Sequence, residues 1–203
     1  MSRAAMLRRG LEWSRDYLNF VLAKLSNDGY LNKTALTWQP VNGANSAGWL
    51  LVHLVACEDA LIHSIIPGLR QYPFLADRFC MGAEPTADIP SFEEIRSMLD
   101  GTRRTALNVL DGLKEEDLDR VPASLADLPD SVTYIKPVNT WTGEHVFRGV
   151  MLHEWGHASQ IAYLHNQIRM KFKASLPKDP SGRPKKKKTT IITPQDLGSL
   201  EVR

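Results

Sequence analysis

The chain has 203 residues, 25 Lys and Arg against 23 Asp and Glu, and 43% hydrophobic residues. That length holds one domain with a sizeable core and leaves little room for a second, and the composition argues against wholesale disorder and against a membrane protein. The formal charge of +2 hides an asymmetry: residues 171–203 carry nine Lys and Arg against three Asp and Glu, a net of +6, which leaves the rest at −4.

The opening stretch, MSRAAMLRRGLEW, has early arginines but no apolar run of signal-peptide length. A cytoplasmic protein is therefore expected. Leu7, Leu11, Leu18, Val21, Leu22 and Leu25 recur at helical spacing and predict a first helix over residues 4–26. Asn27, Asp28 and Gly29 supply its stop, and TWQPVNGANS reads as a loop. A second helix is expected from about Ser46 to Ile66, closed by Pro67 and Gly68. At 100° per residue, His53 shares its face with Trp49, Leu50, Ala56, Cys57, Ala60 and Leu61, so it points inward, whereas Glu58 and Asp59 fall on the opposite side, toward water or a partner. The uncharged run from Thr34 to Cys57 has a truly apolar part of only about ten residues, too short for a bilayer span, so no membrane segment is expected.

Residues 68–90 show no period and read as a long connection. Ser91 with Glu94 forms a capping-box pattern, and Phe92, Ile95, Leu99, Thr102, Ala106, Val109 and Leu113 repeat in alternating threes and fours, which predicts a third helix. Residues 114–139 read as a second connection in which SVTYIKPV could form a short strand. A fourth helix should start near Thr140 or Thr142 and run to about Phe172. The pattern is an all-α four-helix bundle over residues 1–172, followed by a basic, Pro/Lys-rich extension over 173–203 that is expected to be extended or disordered. No aromatic residues interleave its four-lysine run and the body is acidic. Nucleic-acid binding is therefore expected to be no more than a weak contribution of this tail.

Cys57 and Cys80 stand in no CxxC pair, and in the absence of a secretory signal two free thiols are expected rather than a disulfide. His153 and His157 lie four apart on the fourth helix, on the face that also carries Val146, Val150, Ile161 and Leu164. Two imidazoles one turn apart can chelate one ion. Six histidines give roughly 0.15 such pairs by chance, so spacing alone is weak; the pair gains weight from its place in a core stripe, where an unpaired imidazole is costly, and from the inward His53. Three neutral imidazoles leave at least one coordination position open, as catalytic sites do. Cys57, one turn beyond His53, is a candidate fourth ligand or a small core filler. His63, His145 and His165 lie off these faces and read as surface or supporting residues.

HEWGH also satisfies the HExxH pattern of zinc peptidases, with Glu154 as the general base. The extended form of that pattern needs a glycine and a histidine where this chain has Gln160 and Tyr163. A structural role for Glu154, hydrogen-bonded to a neighbour, is the preferred reading.

On TWQPVNGANSAGWLLVHLVACED, ADRFCMGAEPT, LKEEDLDR and HEWGHASQIAYL, the sequence resembles the DinB/YfiT-like superfamily of four-helix-bundle metalloenzymes, over about residues 35–165. The resemblance implies a metal held by one histidine of the second helix and an HxxxH pair of the fourth, at His53, His153 and His157, with zinc or nickel as the divalent ion. It also implies thiol-dependent chemistry of the S-transferase or isomerase type, a low-molecular-weight thiol as co-substrate beside a small-molecule substrate, and a homodimer. The lysine-rich extension, and Ser159 where a glycine often precedes the glutamine, depart from the family pattern. A metal-dependent hydrolase and a non-catalytic ligand- or partner-binding bundle remain open alternatives.

Overall fold

The computed structural model describes residues 1–80, 82–122 and 140–172. Among these, four long helices form the bundle: α1 (Arg3–Asn27), α3 (Ala47–Ile65), α5 (Phe92–Gly112) and α6 (Gly143–Phe172). One-turn helices α2 (Lys33–Leu36) and α4 (Ala76–Phe79) lie in the connections, with 3-10 turns at Pro73–Leu75 and Glu115–Asp119. No strand occurs among the described residues. The segment SVTYIKPV and the extension 173–203 lie outside them.

Local chemistry sets the helix ends. Ser2 accepts a hydrogen bond from the Ala5 N–H at the start of α1, Ser46 from Trp49 at the start of α3, and Ser91 and Glu94 close the expected capping box on α5. Thr142 begins α6: its carbonyl accepts from the Val146 N–H, and its hydroxyl faces the His145 N–H. Gly29 follows the end of α1 with φ +78°, a conformation that other residues rarely adopt.

Long-range pairs fix the topology. Arg3 reaches Glu144 and His165 reaches Asp28, so α1 and α6 run in the same direction. Arg8 pairs with Asp111 and Arg15 with the Leu99 carbonyl, so α5 runs against α1. Around the bundle, α1 neighbours α5 and α6, and α3 neighbours the same two. α3 is the central helix: it is long and apolar enough to cross a membrane, yet 89% of its most apolar window is buried inside the protein. Gly48 lets it approach the end of α2, since a Cβ there would stand 2.9 Å from the Leu36 carbonyl oxygen.

The outward placement expected for Glu58 and Asp59 is overturned, for both are buried. α3 is covered on every side, so its polar positions must find partners inside the protein. Asp59 accepts from the backbone N–H groups of Gln71 and Tyr72, which ties down the connection after α3. Glu58 enters an ionic cluster. The connection between α3 and α5 is also more ordered than its lack of period suggested, because Pro73–Leu75 and α4 fold back over α3.

A candidate metal centre

α3 contributes His53 and α6 contributes His153 and His157, one turn apart. The Nε2 atom of His153 lies 3.0 Å from that of His53 and 3.0 Å from that of His157. The other ring nitrogens are engaged elsewhere. His53 Nδ1 lies 2.5 Å from the Phe79 carbonyl oxygen, and His157 Nδ1 lies 2.9 Å from Gln160 Oε1. Because a carbonyl oxygen only accepts, each of these two rings carries its proton on Nδ1 and turns the Nε2 lone pair toward His153. His153 has one Nε2 proton at most and can satisfy only one of them.

The same arrangement suits a cation. Chords of 3.0 Å subtend about 90–100° at an ion 2.0–2.1 Å from each nitrogen, within the range of metal coordination. Hydrogen bonds on the far side of ligating imidazoles are the usual means of fixing their tautomer and orientation. Burial pushes the His53 pKa down to about 4, against the opposing pull of the Phe79 carbonyl. His153 and His157 are lowered by burial as well. All three rings are therefore neutral at neutral pH, the form that binds metal.

Cys57, His53 and His153 form a group that could hold a metal ion, their ligand atoms all within 4.8 Å of one another. Cys57 Sγ lies 3.7 Å from both ring nitrogens of His53, against the ring rather than along the Nε2 lone pair. Trp49 stacks on the His53 ring at 5.1 Å and 12°. His153 and His157 remain partly exposed, so the centre opens to solvent on the α6 side. Beside it, a cleft of about 430 Å³ is lined by Asn45, Leu50, Ser159, Gln160, Tyr163 and Leu164.

Glu154, the residue that HExxH chemistry needs as a base, faces elsewhere. Its Oε1 accepts from Arg15 Nε at 2.7 Å, and its Oε2 accepts from Arg103 Nη2 at 2.8 Å and from the Ser14 hydroxyl at 2.5 Å. Glu58 mirrors it, accepting from Arg103 Nε, Arg15 Nη2 and Thr102. One buried cluster thus links all four long helices. Burial raises the Glu154 pKa, but the two guanidiniums outweigh it and hold the group below its ordinary value. This carboxylate is charged, saturated with donors and turned away from the imidazoles, as the structural reading required.

The remaining histidines hold structure. His63 Nδ1 accepts from the Gly68 N–H and His145 Nδ1 from the Thr142 N–H. His165, read from the sequence as a surface or supporting residue, is buried and paired with Asp28 at 2.8 Å. Sequence reasoning missed Arg15 and Arg103, although a visible signal existed: each sits in the apolar stripe of its helix, between Leu11 and Leu18 and between Leu99 and Ala106. The Phe79 carbonyl gave none, since every residue has one.

Neither the curated proteins nor the solved structures include a match to this chain. The sequence pattern of the DinB superfamily matches residues 11–161, a span that takes in His53, His153 and His157. With well over half of the chain inside that match and an all-helical bundle as its structure, the protein belongs to the DinB superfamily.

Proposed function

We propose that this protein is a metal-dependent enzyme in which His53, His153 and His157 hold one divalent ion, zinc or nickel, and that its chemistry is thiol-dependent transfer or isomerisation of a small electrophilic substrate. The observation that supports the reading is the meeting of three neutral Nε2 atoms, two of them committed to the lone-pair form by Phe79 and Gln160. When bound, a divalent ion with three neutral protein ligands supplies a Lewis acid with an open position, at which a thiol or water loses its proton more readily.

The chain's own residues define what else is available. The Phe79 carbonyl and Gln160 orient two of the three rings, and Trp49 shields His53 from water. The cleft along Leu50, Tyr163 and Leu164 offers an apolar wall beside the open side of the centre, suited to the body of a carbon electrophile. Glu154 is unavailable as a base, which disfavours peptidase-type hydrolysis. A small-molecule thiol, bringing its own nucleophile, needs no protein base.

Metal analysis of protein purified without a histidine tag tests the proposal. One equivalent of ion in the wild type, lost in His153→Ala, is the expected result. A metal-free wild type of full stability would favour the non-catalytic binding bundle. Pairing with a second copy belongs to the same proposal. It is supported by the exposed Met6, Trp13 and Phe20 of α1 beside Leu152 and Trp155 of α6, and sedimentation at micromolar concentration should give the mass of a dimer.

A further inference from the structure

The side-chain amide of Gln160 has two ends, and the candidate metal centre uses one of them. Its Oε1 accepts the His157 Nδ1 proton at 2.9 Å, which fixes the way the amide faces. The Nε2 group is a donor only; it is turned away from His157 and has no hydrogen-bond partner among the described residues. Gln160 also lines the cleft of about 430 Å³ between α6 and the start of α3. Of the other polar side chains there, Ser159 already donates to the Trp155 carbonyl at 3.0 Å. Asn45 and Tyr163 make no side-chain hydrogen bond among the described residues, so nothing fixes the way their polar groups point. Among the described lining residues, Gln160 alone presents a donor in a fixed direction.

The rest of the cleft defines the molecule that suits this donor. Leu50 and Leu164 are buried and form its floor, and the Tyr163 ring, 63% exposed, stands at its rim. No Asp, Glu, Lys, Arg or His is among its lining residues. A charged group laid on this floor would leave water with no opposite charge to meet it, whereas an apolar body gains by burial. The volume lies toward the small end of small-molecule sites.

We propose that this cleft binds an uncharged, largely apolar compound through its carbonyl oxygen, and that Gln160 Nε2 donates to that oxygen while Oε1 keeps hold of His157. A carbonyl oxygen accepts and does not donate, the complement of an N–H2 group. A hydrocarbon of the same shape is held by the apolar floor alone. Gln160 is thus a specificity-determining residue, shared between the ligand and the centre. Together with the proposed function, on which this step rests, the cleft narrows the substrate to an electrophilic carbon conjugated with a carbonyl group, in preference to a halide or an epoxide. Binding of the carbonyl compound itself requires neither metal nor catalysis.

Acetophenone and α-methylstyrene share one shape and differ by a carbonyl oxygen against a methylene, so they serve as the probe pair. Each is titrated into isotope-labelled, untagged full-length protein, as isolated and after chelation of any metal, and the backbone and side-chain amide signals are followed by NMR. Expected are saturable shifts at Leu50, Gln160 and Leu164 with both probes, a downfield shift of the Gln160 side-chain amide protons with acetophenone alone, and about 3–10-fold tighter binding of acetophenone, the size of one hydrogen bond. In Gln160→Glu a carboxylate oxygen still accepts from His157 Nδ1, but no donor faces the cleft. The preference for acetophenone should therefore vanish while zinc affinity does not fall. Equal affinity of the two probes for the wild type, shifts outside the cleft, no shift at millimolar probe, or a preference that survives in Gln160→Glu overturns the proposal. A fall of zinc affinity in Gln160→Glu overturns the shared role of the amide. A wild type that binds no zinc contradicts the proposed function instead, and the titration of metal-free protein still decides what the cleft binds.

Discussion

At the scale of single residues, the centre depends on where three protons sit. His53 and His157 point their lone pairs inward because Phe79 and Gln160 occupy their outer nitrogens. Gln160→Ala removes one of these constraints and should lower zinc affinity about 10–100-fold, measured by competition with a chromogenic chelator, without altering the helical circular dichroism. Acid should act in the same direction. The His53 pKa falls from its ordinary 6.5 to about 4 on folding, so between these values the unfolded chain binds a proton that the folded chain refuses. The stability that neutral His53 contributes is therefore complete above pH 6.5 and is lost as the pH falls toward 4. Urea midpoints of the metal-free protein across that range should show the decline; a flat profile contradicts the assigned burial. The three histidines were legible in sequence because a helix maps spacing directly onto direction. Phe79 was not, because a backbone acceptor has no side-chain signature and its position follows from a fold-back of the chain.

At the scale of the helices, Arg15, Glu58, Arg103 and Glu154 tie α1, α3, α5 and α6 at one level. Each carboxylate accepts from both guanidiniums, and the spare Arg15 and Arg103 donors reach the Leu99 and Leu11 carbonyls. Removing one member of a buried ionic cluster leaves an uncompensated charge and typically costs about 3–5 kcal/mol. Glu58→Gln should show a loss of that size in chemical denaturation while the metal content of the folded protein is retained. Loss of metal with unchanged stability would instead place Glu58 in the centre. The helices themselves followed from period and caps, with boundaries within a residue or two for α1, α3 and α5. The inward turn of Glu58 and Asp59 did not, because a helix enclosed on all sides has no polar face. The 100° rule then tells which residues share a direction but not which directions are wet.

At the scale of the whole molecule, α1 and α6 run opposite to α5, and the antiparallel approach of α3 to α6 brings His53 level with the HxxxH pair. The bundle therefore supplies the centre from two helices that are far apart in sequence, an arrangement that length, period and composition could not specify. The family match ends at residue 161 and the described helices end at Phe172. Deleting residues 173–203 should accordingly leave the calorimetric melting temperature and metal content unchanged, and a large fall in either would assign the basic extension a part in the fold.

X-ray absorption at the metal edge of the untagged, metal-loaded protein addresses the convergence of His53, His153 and His157 most directly. Three imidazole scatterers at about 2.0–2.1 Å, falling to two in His53→Ala, are predicted. A spectrum without imidazole, or one that His53→Ala leaves unaltered, contradicts the account.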